Sequence, residues 1–345
     1  MKRSMSTGLA VVMLAAACGG GTGSDPVEQA TTGGTVAEAA PTVAGEAAPT
    51  TEQGQPIDPD STAGWRASTP EEQGIDSVAL AEVVDYLRTQ DNFTIHSLLI
   101  IRHGHVVADV YFQPYVPDAV HDLQSAVKSF ASTLIGIAID RGYVESVAQP
   151  VLSFFPERTV ANVDADKESM TLEDLLVMRS GLLCGSGADF AESADWVQFI
   201  LDQPMINEPG RVYDYCDQNF YLLSAIVEAT TGLTEVDFAQ RNLFGPLDAG
   251  EVLWPVSPQE AALGESHYAL APYDMAKLGQ LFLDGGMWAD QQVVSSAWVQ
   301  AATGPEDASY GYMWWLDVAG YYATGVGGQE IWVVPELDMV VVMTG

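Results

Sequence analysis

Ser125-Ala126-Val127-Lys128 is the one place in this 345-residue chain where a serine stands three residues before a lysine. With Ser125 in the first turn of a helix, Lys128 lies one turn on along the same face, close enough for its amine to take the hydroxyl proton. The chemistry would be attack of a serine oxygen on a carbonyl carbon. Serine is a common residue, so the tetrapeptide alone is weak evidence. Its value depends on whether the rest of the chain builds a site around it.

The elements that must position this pair are legible from periodicity. Phe130, Leu134, Ile137 and Ala138 follow Ser125 at helical spacing and Gly142 marks the stop. Upstream, residues 97–102 and 106–112 are β-rich runs joined by His103-Gly104-His105 and read as a hairpin. His103 and His105 are not joined by a cysteine or acidic residue at ligand spacing, so no metal site is expected there. Residues 77–89 have helical spacing. Thr171, followed by Glu173 and Asp174, starts a helix that Ser180-Gly181 should close. Further helices are expected over 194–201, 218–230, 235–243 and 273–283, then strands over 310–317, 320–324, 330–334 and 339–343, with Pro335-Glu336 as a turn. Strands at both ends around a helical middle predict an α/β (α+β) fold. One sheet would be built from the N- and C-terminal segments, with a helical lobe inserted roughly over 125–300 and a site in the cleft between them.

Composition sets the address and excludes some partners. Met1-Lys2-Arg3 and the apolar run to Ala17 form an export signal over residues 1–18, too short to span a bilayer. Leu14-Ala15-Ala16-Ala17-Cys18 resembles a bacterial lipoprotein box with Cys18 as the lipidated residue; the alternative is ordinary cleavage and a free secreted protein. Residues 19–63 hold no lysine, arginine or aromatic residue and read as a flexible tether, leaving 64–345 as the folded unit. The 47 acidic residues against 13 lysines and arginines give a net charge of −34, which argues against nucleic acid and anionic surfaces as partners. Of three cysteines, Cys184 and Cys216 remain for pairing in an exported protein. A disulfide between them is the expectation, with two buried thiols as the alternative.

From Trp65 onward the chain resembles the serine hydrolases related to class C β-lactamases, a group that includes D,D-peptidases, family VIII-type carboxylesterases and 6-aminohexanoate-oligomer hydrolases. The resemblance rests on four blocks in order: His121 to Phe130, Thr171 to Gly181, Pro209-Gly210 through Tyr215, and Gly325-Val326-Gly327-Gly328-Gln329. It implies a β-lactamase/D,D-peptidase-like fold, with Ser125 as nucleophile, Lys128 as base and Tyr215 sharing the proton work. It also implies an oxyanion hole from the N–H groups of Ser125 and Gln329, with Gly327 and Gly328 letting substrate lie close.

Two departures shape the expected substrate. Val326 stands where β-lactamases and D,D-peptidases carry a cation for the substrate carboxylate. Tyr215-Cys216-Asp217 replaces Tyr-Ser-Asn: if Asp217 points into the site its charge would favour protonated Lys128 and move base work to Tyr215, and otherwise it simply replaces a polar contact. His121 is near enough to line the cleft, although a structural role is expected. The family's closing helix does not follow the last strand, so it is absent or the sequence is truncated. The reading is an exported serine hydrolase without cofactor, acting on a small-molecule ester and touching a membrane only through Cys18. The alternatives are an amidase of the 6-aminohexanoate-oligomer type, a weak β-lactamase or D,D-peptidase, and a catalytically inactive surface-binding homologue.

Overall fold

Leu98 to Ile101, Ile331 to Val334 and Val340 to Val342 are unbroken apolar runs, a pattern that fits strands covered on both faces rather than one. The computed structural model describes residues 64–89, 94–185, 187–250, 252, 268–304 and 309–345, and the export signal, Cys18 and the tether lie outside them. Its strands are β1 (Arg66–Ala67), β2 (Ser97–Arg102), β3 (His105–Tyr111), β4 (His121–Asp122), β5 (Ala269–Leu270), β6 (Met287–Trp288), β7 (Gln291–Gln292), β8 (Trp315–Asp317), β9 (Gly320–Gly325), β10 (Gln329–Val334) and β11 (Met339–Thr344). Seven form one sheet in the order β1-β3-β2-β11-β10-β9-β8. All neighbours are antiparallel except β1 and β3. Strand β2 pairs with β11 from Ser97 opposite Thr344 to Arg102 opposite Met339, so segments far apart in sequence become sheet neighbours.

Alternate residues of these strands enter two cores. Leu98, Ile100, Trp332, Val341 and Met343 pack with Leu80, Val83 and Leu87 of α1 (Ser77–Arg88). On the opposite face Leu99, Ile101, Ile331, Val333, Val340 and Val342 join the larger core. Each fully buried side chain of this size stabilises by roughly 1.5–3 kcal/mol relative to exposure. Helix α2 (Val127–Asp140) is buried on all sides from Val127 to Ala138, which places the serine–lysine turn at the mouth of a helix that cannot shift. The other helices are α3 (Ala165–Ser169), α4 (Leu172–Leu176), α5 (Gly187–Glu192), α6 (Trp196–Leu201), α7 (Asp217–Thr231), α8 (Glu235–Ala239), α9 (Pro272–Leu283) and α10 (Ser296–Thr303). None of the described helices is long and apolar enough to cross a membrane.

Several boundaries differ from the sequence reading for local reasons. The helix begun by the Thr171 capping box ends at Leu176, because Met178 turns the chain at φ 56, and Ser180-Gly181 lie beyond it. In the expected strand 310–317 only Trp315–Asp317 joins the sheet. Met313, at φ 60, folds the preceding residues back, where its carbonyl accepts a hydrogen bond from Ser129 Oγ at 2.8 Å. Helix α8 stops at Ala239 and passes into a π-turn over Gln240–Phe244. Within the expected helical lobe, α9 packs on the sheet itself, its Leu278 and Leu281 sharing a core with Ile331 and Val340.

Cys184 and Cys216 form a disulfide with Cα atoms 5.8 Å apart. The side-chain amide of Gln218 reinforces it, accepting from the Gly185 N–H at 3.2 Å and donating to the Gly185 carbonyl at 3.1 Å. The pair therefore ties the loop before α5 to the start of α7. Deep in the lobe, burial pushes the Glu235 carboxyl above the ordinary carboxylate range, opposed by the Tyr268 hydroxyl, which donates to it at 2.6 Å, and by Ser224.

Two stability measurements follow from these features. Replacing both cysteines by serine frees a loop with a sequence separation of 32 residues. The double variant should lose roughly 3–4 kcal/mol of unfolding free energy by loop closure, read as a lower urea midpoint. An unchanged midpoint would show that the bridge does not constrain the unfolded chain. For Glu235, the folded state holds its proton to higher pH than the unfolded state. Its contribution is therefore full below about pH 4.3 and is lost as pH rises through the folded value. Glu235→Gln should gain stability relative to wild type between pH 4 and pH 8, and a pH-independent difference between the two would refute this.

Candidate active site

The nucleophile sits where a short ladder meets a helix. Strand β4 pairs with β5, and the Leu123 N–H donates to the Tyr268 carbonyl at 2.9 Å. The chain then makes a 3-10 turn over Gln124–Ala126 that runs directly into α2. Gln124, the residue before the serine, has φ 49, a left-handed conformation that costs a non-glycine residue energy. The Asp122 carboxylate holds it there by accepting from Gln124 N at 3.0 Å and from Gln124 Nε2 at 2.8 Å. Sequence reading did not assign this clamp, although an aspartate two residues ahead of a strained turn position is a common local signal.

Lys128 lies one turn beyond the serine, as its spacing predicts. Its Nζ donates to Ser125 Oγ at 3.1 Å and lies 2.8 Å from Asp217 Oδ1. The lysine side chain is 6 % exposed and the aspartate 49 %, so the pair straddles the cleft wall. The Nζ also stands over the rings of Tyr215 and Phe220, at 5.2 and 5.3 Å from their centroids. A carboxylate and two aromatic faces therefore surround the lysine head. Asp217 is the first residue of α7, where the partial positive charge of a 15-residue helix would otherwise face the lysine. Asp217, whose orientation the sequence leaves open, thus points toward Lys128.

Tyr215 is fixed from behind by aromatic contacts. Its ring is stacked near Trp315 at 6.0 Å and meets Tyr310 edge-on at 6.3 Å. Tyr213 packs on Tyr310 at 5.5 Å, and burial pushes the Tyr213 phenol above its ordinary range. The segment before Tyr215 is strapped to the end of the α4 region, with Gly210 N donating to Arg179 O at 2.9 Å and Asp214 N to Met178 O at 2.9 Å. Ser180 Oγ donates to Asn219 Oδ1 at 2.8 Å and ties the same region to α7.

The glycine-rich block does not lie where the sequence reading put it. Residues 326–328 form the turn between β9 and β10, and Gly327 and Gly328 have φ 99 and 111. Gly325, at the end of β9, is the residue that abuts the nucleophile. A Cβ there would meet Leu123 O at 2.2 Å and Ser125 N at 3.1 Å. The end of β9 therefore runs alongside the Ser125 backbone, the side on which a second oxyanion donor is needed. Gln329, expected to offer that donor, is opposite Gly325 on β10, one strand further away. Val326 itself is 78 % exposed, and Ala323 on β9 is buried, so the strand against Ser125 presents no cationic side chain at either position.

His121 lines a pocket, as its place four residues before Ser125 allows. A space of about 500 Å³ is bounded by His96, Tyr115, His121, Asp122, Gln124, Val326 and Gln329 among others. His103 and His105 are elsewhere: the His103 ring meets Gln73 Oε1 at 2.9 Å and the His105 ring meets the His103 carbonyl at 2.8 Å. Among the described residues no group of three or more His, Cys, Asp or Glu side chains could hold a metal ion.

Comparison with known proteins agrees with this architecture. Residues 80–344 match the family model described as Beta-lactamase. Over 310 residues, 80% of this chain and 79% of the relative, the sequence is 26% identical to the 6-aminohexanoate-dimer hydrolase of Paenarthrobacter ureafaciens. Among solved structures, a putative 6-aminohexanoate-dimer hydrolase from Bacillus anthracis superposes with a TM-score of 0.63 at 18% identity, over 77% of this chain and 76% of that one. A penicillin-binding protein homologue from Caulobacter crescentus gives 0.62 at 17% identity, over 81% and 92%. With the family match extending over most of the folded part, the chain belongs to the beta-lactamase family of serine hydrolases.

Proposed function

We propose that the protein is an exported serine hydrolase that forms an acyl-enzyme on Ser125 and cleaves neutral carboxylic esters. The observation that carries this reading is the Lys128 Nζ contact with Ser125 Oγ at 3.1 Å, made by a lysine that also pairs with Asp217 at 2.8 Å. With Lys128 paired to Asp217, the base role falls to Tyr215, whose phenolic oxygen takes the serine proton as Ser125 Oγ attacks the carbonyl, the Lys128 head beside its ring offsetting the charge. The developing oxyanion is met by the backbone N–H groups of Ser125 and Val326. Collapse breaks the ester bond and Tyr215 returns the proton to the leaving alcohol. A water then attacks the acyl carbon, its proton passing to Tyr215 and on to the departing Ser125.

Neutral substrates are favoured because no cation stands at Val326 or Ala323 to pair with a substrate carboxylate, which weighs against β-lactams and peptidoglycan stems. The net charge of −34 further repels anions. A second reading, cleavage of linear amides, is favoured by the relative named 6-aminohexanoate-dimer hydrolase. Export and lipid attachment at Cys18 belong to the proposal and would place the hydrolase on the outer side of a membrane.

Incubation with a fluorophosphonate probe, short-chain p-nitrophenyl esters, 6-aminohexanoate dimer and nitrocefin separates these readings. Wild type should be labelled and should turn over the esters, and Ser125→Ala should do neither. A wild type that is neither labelled nor active would establish the inactive binding homologue instead, and rapid nitrocefin hydrolysis would overturn the neutral-substrate argument. Tyr215→Phe should lower kcat/KM by roughly 10²–10⁴ as the base is lost. Asp217→Asn should lower kcat about tenfold, ~1.4 kcal/mol, with KM little changed. A rise in kcat on Asp217→Asn would mean that Lys128 works as a free amine base.

A further inference from the structure

The pocket beside the nucleophile contains polar groups that the proposed chemistry does not use. His121 is 7 % exposed and Gln329 4 %, and both line it. No hydrogen bond of normal geometry reaches either ring nitrogen of His121, Nδ1 of His96 or Oε1 of Gln329. The other end of the Gln329 amide is occupied, its Nε2 donating to the Gly345 carbonyl. The His96 ring stacks on Tyr115 at 3.5 Å and lies 5.2 Å from the His121 ring, so the two imidazoles and the phenol form one wall. Leaving several buried polar atoms unpaired is costly, and all of them belong to side chains that line one cavity, so a partner there could be met by a small rotation of these groups.

The position of the cavity identifies which part of a substrate would enter. Its wall includes Gln124, the residue before Ser125, together with Val326 and Gln329, but none of Lys128, Tyr215 or Asp217. The leaving group must face Tyr215 to receive its proton, so the acyl part extends the other way, past Val326. The chemistry of the wall then selects among acyl groups. Burial lowers both histidines below their ordinary range, with His121 acting further on His96 and the Ala119 carbonyl opposing at His121. Neutral imidazoles each offer one donor and one acceptor. The Gln329 oxygen only accepts, and the Asp122 carboxylate on the same wall repels anions. Ala119, Val120 and Tyr115 supply apolar surface for the intervening chain.

We propose that this pocket is an acyl-side subsite in which His121 and the Gln329 side chain hydrogen-bond a neutral group carrying both donor and acceptor, an amide above all, at the end of a short alkyl spacer. A carboxylate in the same place meets acceptors and a like charge, and a methyl leaves the polar atoms unpaired. The subsite rests on the acyl-enzyme reading for its orientation but not for its capacity to bind. Because χ2 of a histidine is a broad torsion, either imidazole can turn a nitrogen into the cavity with little cost.

Three p-nitrophenyl esters of equal acyl length, ending in carboxamide, methyl or carboxylate, test the preference. Wild type should favour carboxamide over methyl by at least tenfold in kcat/KM, with carboxylate the poorest. In His121→Phe the carboxamide to methyl ratio should collapse to within twofold, and His121→Asn, which keeps a donor and an acceptor, should retain most of it. A wild-type ratio near one, or a ratio that survives both His121→Phe and His96→Phe, overturns the proposal and leaves the polar atoms to water. Calorimetric titration of Ser125→Ala with adipamide reads the pocket without catalysis: binding at millimolar concentration, weakened at least tenfold by adding His121→Phe, is expected. Absence of binding sinks the subsite even if the esters are cleaved, whereas binding without fluorophosphonate labelling of wild type would sink the acyl-enzyme reading alone. Should His121→Phe fail to fold, the His121→Asn ratio and the adipamide titration still decide.

Discussion

Gly325 and the turn that carries Ser125 are in van der Waals contact, and the positions of nucleophile, oxyanion donor and cleft wall all depend on that approach. Any side chain at residue 325 would collide with the Leu123 carbonyl, so the strand end and the turn can meet only through glycine. On the strand side the position is held by a sheet whose central strands are buried on both faces. On the turn side it is held by α2, buried along most of its length, and by the Asp122 carboxylate that keeps Gln124 in a strained conformation. Strain at the residue next to a nucleophile persists only where the surroundings over-determine it. Here a rigid helix, a short ladder and a carboxylate do so together.

Charge is organised around the same point. A lysine with 6 % of its side chain exposed would be costly unless paired, and Asp217 supplies the pairing from the first turn of α7. The aspartate also offsets the positive end of that helix. In the proposed mechanism this pairing leaves proton transfer to the tyrosine. The disulfide beside Asp217 ties the segment carrying Tyr215 and the start of α7 to the loop before α5, so this electrostatic arrangement is tethered covalently.

Much of this was legible in the chain. The hairpin about His103-Gly104-His105, the helix behind Ser125, the helix over 218–230 and the C-terminal strands follow from periodicity and punctuation, since long apolar repeats dominate local preference. The Cys184 and Cys216 pairing followed from the export context and the count of cysteines. Less legible were features set by non-local contacts. Met178 and Met313 adopt left-handed conformations that nothing in their side chains announces; the first ends a helix earlier than its pattern suggests and the second delays the start of a strand. The glycine-rich block read as a strand that would face the substrate, but pairing of Gln329 with Gly325 makes its middle a turn and gives the contact with Ser125 to Gly325.

By itself, then, the sequence determined the residue types that do the chemistry, their approximate elements and the absence of a cation at Val326, because these depend on identity and spacing within a few residues. Tertiary structure alone decided that Asp217 reaches Lys128, that β9 ends against the serine turn, and that His96, His121 and Gln329 share one cavity. Those contacts join segments separated by tens to hundreds of residues, and their geometry is set by how the sheet and helices pack rather than by any local pattern.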